Sequence, residues 1–322
     1  MRFAAFAEQW ATTNAARLAT STRERYTRSI CLAVTHLGDQ FVDSLTPSDV
    51  RRYIDAIAPG KSPATVNGHL RVLRTVLEPL VEDEILTRNP ARKVRGLPEK
   101  RTRGKRGTAL SPSELRRFIE AAKELEAEGV IAPDIVRMIL ALAWTGMRRG
   151  ELLALRFEDW KDGELTIERA AWRGEEKGTK TDDPRKIAVV GPLEALLVEQ
   201  REWLKATQHE GAKSGLVFPA SRKHAVAEYR RTGTLNWIRT GSVLDHPIAK
   251  IVKRAKVPAV SCHSFRRTWE NLLRQAGVDT LVRRSLAGWR TDDAQAIYAS
   301  VDPSERAQAA RQVAAIVMGG QQ

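Results

Sequence analysis

The chain has 322 residues and a formal net charge of +14, with 42% hydrophobic and 29% charged residues. This composition is typical of a globular protein, and no run approaches the roughly 20 apolar residues of a membrane span. The N-terminus reaches Glu8 too early for the core of a signal peptide, so we expect a cytoplasmic protein with no membrane partner. Cys31, Cys262 and six scattered histidines form no metal-binding spacing, and we expect neither a metal nor another cofactor.

The positive charge is concentrated in residues 96–107, which carry as much excess charge as the 95 residues before them. The segment contains three Gly and one Pro, a composition that predicts an extended linker. A basic protein gains from counterion release when it binds a polyanion, which favours nucleic acid as a partner. Charge alone is equally compatible with non-specific adhesion to polyanions. The residues expected to contact phosphates are Lys100, Arg101, Arg103, Lys105 and Arg106.

Helical patterns dominate residues 1–95. Apolar residues recur at helical spacing from 65 to 86, with an interruption at Pro79. A Ser or Thr followed three positions later by an acidic residue is a capping box, which predicts a helix start. We therefore predict that residues 1–95 form a small helical bundle. The capping boxes are Ser21 with Glu24 and Thr46 with Asp49, and Pro47 suits a first helical position.

A second domain is predicted from residue 108 to 302. Another capping box begins at Ser111, and an apolar helix over 135–144 is predicted to end at Gly146. Asp162-Gly163 predicts a hairpin. We predict strands over 165–171 and 187–190, joined through a polar loop, and mostly helices after them.

Two pairs of polar residues in this domain have helical spacing. Arg148 and Glu151 are three residues apart at a helix start, where the carboxylate could orient the guanidinium. His263 and Arg266 have the same spacing near another helix start, where backbone N–H groups favour a phosphate. Taken singly, each pair is more often a surface ion pair or a solvated helix face than a site.

The combination of motifs resembles the tyrosine recombinases, or phage integrase family. The matching segments are Thr145-Gly146-Met147-Arg148-Arg149-Gly150-Glu151-Leu152, then His263-x-x-Arg266, then Leu286-Ala287-Gly288-Trp289 with Tyr298 nine residues later. The resemblance implies a mainly α fold with a small β-sheet. It comprises an N-terminal helical-bundle core-binding (SAM-like) domain, residues 1–95, and an α+β catalytic domain.

The resemblance also implies the site residues and the reaction. Tyr298 would attack a DNA phosphate and form a 3′-phosphotyrosine, with no ATP and no cofactor. Two arginines suit the charge that gathers on the non-bridging oxygens. Trp289 stands where histidine is more frequent, and its indole can donate only a hydrogen bond. The implied catalytic set is Arg148, Lys180, His263, Arg266, Trp289 and Tyr298, with Glu151 in support.

The lysine is the least determined member of the set. Lys177, Lys180 and Lys186 all lie in or beside the loop between the predicted strands. Lys180 is chosen because Lys180-Thr181 resembles the family's Lys-Thr motif before the next strand.

Residues 303–322 predict an amphipathic helix beyond the nucleophile. The resemblance implies that this tail contacts a neighbouring protomer, giving a tetramer on double-stranded DNA sites. The expected activity is site-specific recombination of a mobile element. A type IB topoisomerase and a DNA-binding regulator without catalysis are the alternatives. The sequence leaves open the target site, any accessory protein, the host or phage origin, and whether the role is that of an integrase, an excisionase or a resolvase.

Overall fold

A computed structural model describes residues 1–99, 108–178 and 184–288. The chain divides into two compact units, Met1–Thr102 and Arg103–Gln322. Lys180, Trp289 and Tyr298 lie outside the described residues, as do the basic residues of the predicted linker and the predicted tail helix at 303–322. In the part of the chain that is described, no helix is both long and apolar enough to cross a membrane.

The first unit is an all-helical bundle, as predicted. Its buried residues include Phe3, Tyr53 and Leu77, each at most 2% exposed, in one apolar cluster to which all five helices contribute. The predicted interruption at Pro79 is confirmed, because one helix ends at Leu77 and the next begins at Pro79. The helices are α1 (Phe3–Asn14), α2 (Thr20–Leu37), α3 (Pro47–Ile57), α4 (Pro63–Leu77) and α5 (Pro79–Glu82).

One of the two predicted capping boxes in this unit is confirmed and the other is wrong. Thr46 caps α3, and the N–H of Thr46 donates to Asp49 Oδ2 at 2.9 Å. Helix α2 instead begins at Thr20, after Ala19, so that Ser21 already lies inside its first turn. The spacing of Ser21 and Glu24 was a chance match, since two residues cannot define a cap once the backbone before them is helical.

The segment that follows α5 is fastened back onto α4. Arg74 donates from Nε to the Ala91 carbonyl at 3.0 Å and from Nη2 to the Val94 carbonyl at 2.7 Å. Asn67 accepts from the N–H of Leu97 at 2.7 Å, and its Nδ2 donates back to the Leu97 carbonyl at 3.0 Å. The beginning of the predicted linker is therefore hydrogen-bonded to the first unit.

The second unit packs helices around a small sheet, which confirms the predicted α+β class. Phe118 and Phe265 meet edge to face in its core, with ring centroids 5.2 Å apart. The elements are α6 (Pro112–Ala127), α7 (Pro133–Thr145), α8 (Arg149–Ala154), β1 (Trp160–Lys161), β2 (Glu164–Ile167), β3 (Arg169–Trp172), β4 (Glu175–Gly178), β5 (Arg185–Ala188), α9 (Pro192–Ala206), α10 (Arg222–Thr232), α11 (Asp245–Ala255), α12 (Cys262–Gln275) and α13 (Thr280–Ala287).

All strand pairs among the described residues are antiparallel. Strands β1, β2 and β5 form one sheet in that order, and β3 pairs with β4 in a second. The predicted hairpin at Asp162-Gly163 is confirmed, with positive φ at both residues, 52° and 73°. The predicted single strand over 165–171 is wrong, because Glu168 separates β2 from β3. The predicted polar loop contains β4, whose charged residues form strand through backbone pairing with β3.

The turn after α7 sets the geometry of the second unit's polar centre. Gly146 ends α7 with φ of +60°, as predicted for a left-handed cap. A Cβ at this position would lie 2.5 Å from the Trp269 ring of α12, so no larger residue fits. The close approach brings the chain around Arg148 against α12.

Candidate active site

Arg148 occupies the N-cap of α8, immediately after this turn. Its backbone N–H donates to Glu151 Oε2 at 2.6 Å, and its Nη1 donates to Glu151 Oε1 at 2.8 Å. The predicted orientation of the guanidinium by Glu151 is present in this geometry. The Arg148 side chain is 26% exposed, whereas that of Glu151 is 1% exposed. The Arg148 side chain is thus partly exposed, while its guanidinium is held by a buried carboxylate.

The Glu151 carboxylate has a second guanidinium partner, Arg185 on β5, which the sequence analysis missed. Arg185 donates from Nη1 to Oε1 at 3.1 Å and from Nη2 to Oε2 at 2.6 Å. Together with Arg148, this gives the carboxylate four hydrogen bonds. Burial by itself raises the pKa of Glu151, but the hydrogen bonds and charge of Arg185 and the charge of Arg148 outweigh burial and lower the pKa. Glu151 is therefore a buried anion between two cations.

His263 and Arg266 both lie in the first turns of α12, as predicted, but they differ in exposure. His263 is exposed, whereas Arg266 is only 1% exposed. Arg266 donates from Nη1 to the Gly146 carbonyl at 2.9 Å and from Nη2 to the Ala287 carbonyl. This arginine consequently joins the turn before Arg148 to the end of α13.

The end of α13 is held by both buried arginines. Arg185 Nε donates to the Leu286 carbonyl at 3.0 Å, next to the Ala287 carbonyl that Arg266 engages. Gly288 follows with φ of +66°, and a Cβ there would lie 3.1 Å from Cδ of Arg185. The Leu-Ala-Gly segment of the third motif is thereby fixed against the other two motifs.

Two of the three lysine candidates lie in described strands. Lys177 on β4 has its Nζ 5.6 Å from the centre of the Trp172 ring, a cation–π contact. Lys186 on β5 bonds to Glu164 Oε2 at 2.8 Å, and this hydrogen bond raises its pKa. Lys186 alternates with the buried Arg185 along β5 and so points to the opposite face of the sheet.

The alternation along β5 is the sequence pattern that could have indicated the burial of Arg185. Residues two apart in a strand share a face, and Ile187 and Val189 are apolar. Arg185 shares the buried face with Ile187. A buried arginine needs an anionic partner, which the Glu151 of the first motif supplies.

No group of three or more potential metal ligands occurs within residues 1–99, 108–178 and 184–288. The partly exposed, cationic Arg148 side chain suits an anion such as phosphate.

Comparison with protein families gives a match over residues 108–305 to the phage integrase family. The chain belongs to this family. The matched range contains every residue that the sequence analysis assigned to the catalytic set, and it begins with the second unit's described residues.

Several integrases share sequence with this member of the phage integrase family. The integrase of Mycobacterium phage D29 is 28% identical over 253 residues, which cover 76% of this chain and 60% of the phage protein. A XerC-like tyrosine recombinase of Caldanaerobacter subterraneus subsp. tengcongensis is 25% identical over 282 residues, 81% of this chain and 68% of that protein. The chain thus spans about 60% of the length of the D29 integrase.

Solved structures show the same fold. The Tn1549 transposon integrase in complex with transposon right end DNA matches with a TM-score of 0.74 and 18% identity, over 98% of this chain and all of that chain. A lambda integrase fragment, solved as a dimer bound to a core site, matches with a TM-score of 0.69 and 14% identity, over 94% of this chain and all of the fragment.

Proposed function

We propose that the protein is a site-specific tyrosine recombinase that cuts and rejoins DNA strands through a covalent 3′-phosphotyrosine. The observation that carries the proposal is the partly exposed Arg148 side chain, held by the buried Glu151 and preceded by the Gly146 turn to which Arg266 of α12 donates. Family membership supports the same reaction.

In the proposed reaction, the Tyr298 hydroxyl oxygen attacks the scissile phosphorus as its proton is transferred away with the help of His263. The bond from phosphorus to the 5′-oxygen breaks, and Lys180 supplies the proton that makes this oxygen a 5′-hydroxyl. The phosphodiester bond energy is kept in the phosphotyrosine. A 5′-hydroxyl from another strand can therefore reverse the step without ATP.

Arg148 and Arg266 are the proposed partners of the non-bridging oxygens, and the indole N–H of Trp289 is a further proposed donor. Charge builds up on these oxygens as the transition state forms, so fixed cations lower the barrier. The burial of Arg266 supports a second role beside the phosphate contact, since it also ties the Gly146 turn to the end of α13.

The proposed substrate is double-stranded DNA that carries a recombination site. We propose that the protein binds it in the cytoplasm. We propose that the basic residues of the segment 96–107 neutralise backbone phosphates without reading bases. The net charge of +14 supports this partner. The relatives named above include integrases solved with DNA.

We further propose that four protomers assemble on two DNA sites. The amphipathic pattern of residues 303–322 supports a tail that docks on a neighbouring protomer, and a head-to-tail contact that closes gives a ring. Lambda integrase has been solved as a tetramer bound to a Holliday junction, with a TM-score of 0.69 to this chain and 14% identity.

The test is covalent trapping on DNA. Repeats in the DNA beside the gene would define the half-site, and a substrate nicked near the cleavage point would trap the adduct. We expect the full chain to form a protein–DNA adduct that survives denaturation. Tyr298→Phe should abolish the adduct and leave DNA binding intact.

Tyr229→Phe is the matched control, because Tyr229 is a 54% exposed tyrosine on α10 that belongs to no proposed catalytic contact. It should form the adduct at the wild-type rate. Binding without any adduct would contradict the proposal and point to a regulator. Adduct formation with relaxation of supercoiled DNA but no strand exchange would point to a type IB topoisomerase.

A further inference from the structure

Arg185 connects two motifs of the catalytic unit through all three nitrogen atoms of its guanidinium. Nη1 and Nη2 donate to the Glu151 carboxylate at 3.1 and 2.6 Å, and Nε donates to the Leu286 carbonyl at 3.0 Å. The side chain is 4% exposed. Because all three nitrogen atoms donate to acceptors within the protein, Arg185 exerts its influence through the groups that it contacts.

The charges around Glu151 do not cancel. Two guanidiniums, those of Arg148 and Arg185, share one carboxylate, which leaves this cluster with a net charge of +1. Arg148 alone with Glu151 would be a neutral pair. Because the Arg148 side chain is the more exposed of the two cations, the surplus charge is available on the side that faces solvent.

We propose that Arg185 is a positioning residue for DNA cleavage: it offsets the charge of Glu151 so that the cluster around Arg148 has a net positive charge for the phosphate, and it fixes the end of α13. The inference rests on the proposed recombinase function and names a residue that this function did not include.

The second half of the proposal rests on the contacts at the end of α13. The Leu286 carbonyl accepts from Arg185, and the absent side chain of Gly288 leaves room for Cδ of Arg185. The next residue in the chain is Trp289. Arg185 also occupies the first position of β5, directly after the segment that contains Lys180. One side chain therefore connects the carboxylate that holds Arg148 with the end of α13.

The experiment measures single-turnover adduct formation with saturating protein on the nicked substrate, so that differences in DNA affinity do not contribute. Arg185→Gln removes the positive charge, and we expect cleavage about 10 to 100 times slower, as for other partners that orient catalytic groups. Arg185→Lys keeps the charge but not the planar fork, and its rate should fall between those of Arg185→Gln and the wild type.

The double variant Arg185→Gln with Glu151→Gln separates the electrostatic role from a purely structural one. It removes one cation and one anion, which restores the net charge of +1 on Arg148. We expect it to cleave several-fold faster than Arg185→Gln. A structural role alone predicts that the second substitution brings no recovery, because it removes a further buried contact.

Arg239→Gln is the matched control. The Arg239 side chain is 11% exposed, pairs with the Asp134 carboxylate, and donates to the Phe218 and Pro219 carbonyls, but it belongs to no proposed catalytic contact. Its variant should cleave within about twofold of the wild type once folded.

The outcomes distinguish this inference from the proposed function. A wild-type protein without any adduct would contradict both. A wild-type protein that forms the adduct, with Arg185→Gln equally fast or the double variant no faster than Arg185→Gln, would overturn this inference alone. If Arg185→Gln fails to fold, the other two variants test the inference. It requires that the double variant cleaves DNA and that Arg185→Lys cleaves more slowly than the wild type, and it is wrong if either condition is not met.

Discussion

Each unit contains an arginine that donates to two backbone carbonyls, but the two arginines differ in how deeply they are buried. Arg74 in the first unit is half-buried and fastens the segment after α5 to α4. Arg266 in the second unit is 1% exposed and joins the Gly146 turn to the end of α13. Water can replace some of the contacts of Arg74 and none of those of Arg266. The comparison shows which unit depends on buried charge.

The distribution of buried polar groups extends this contrast. In the described part of the first unit, Asp49 is the one charged residue among the buried polar side chains, whereas the second unit buries several. Burying charge is costly unless it is paired and hydrogen-bonded. Three of the second unit's buried charged residues, Glu151, Arg185 and Arg266, belong to the candidate active site. Its buried charged residues are Asp134, Arg137, Glu151, Arg185, Arg266, Glu270 and Arg283.

The largest effect is expected from Arg266→Ala. Loss of two charged hydrogen bonds in a buried site should lower the free energy of unfolding of the second unit by about 3 to 6 kcal/mol. Adduct formation should fall at least about 100-fold, as when one donor to a developing oxyanion is removed. Hydrogen exchange of α7 and α12 amides and single-turnover trapping would measure the two losses.

Arg74→Ala is the control for that comparison. It should destabilise the first unit by about 1 kcal/mol, since solvent compensates a half-buried site, and leave the cleavage rate of bound protein unchanged. Equal destabilisation by both substitutions would contradict the conclusion that the second unit depends more strongly on a buried arginine than the first.

Glu151→Gln should have the next largest effect, because it leaves the buried Arg185 without an anion. The expected loss is about 3 kcal/mol at pH 7. A pKa that folding lowers contributes stability above its ordinary value of 4.5, and this contribution disappears as the pH falls below that value. The variant should therefore lose less stability than the wild type on acidification. Urea unfolding from pH 7 to pH 3 checks both expectations.

Glu164→Gln serves as the matched control, because Glu164 pairs with Lys186 on the exposed face of the sheet that contains Arg185. The side chains of Glu164 and Lys186 are 45% and 64% exposed. It should change stability by less than about 1 kcal/mol at any of these pH values. A Glu164 effect as large as that of Glu151 would remove burial as the explanation.

The smallest effects are expected at the helix caps, where the more buried contact lies in the first unit and not in the second. Thr46→Ala and Ser111→Ala each remove a capping box, one in each unit, at about 1 kcal/mol apiece. Thr46 should cost more, because its partner Asp49 is buried whereas Glu114 is half-exposed. Segment-resolved hydrogen exchange of α3 and α6 would rank them. A larger loss for Ser111→Ala would contradict the role given to burial.

The sequence by itself determined the features that depend on neighbours along the chain. The caps at Thr46 and Ser111, the left-handed end at Gly146 and the Asp162-Gly163 hairpin are all local arrangements, and the structure has each of them. The Arg148–Glu151 pair was also predictable, because three residues at a helix start already bring the side chains together. The motifs sufficed for the family.

Only the tertiary structure decided what depends on distant partners. Strand β4 carries two glutamates and a lysine, so its strand conformation comes from pairing with β3 and not from its own pattern. Arg185 meets Glu151 across 34 residues, and Arg266 meets Gly146 across 120. The burial of Arg266 depends on the packing of α12 against α7. No local spacing encodes such contacts, because a guanidinium finds its acceptors in space, after the core has brought the segments together.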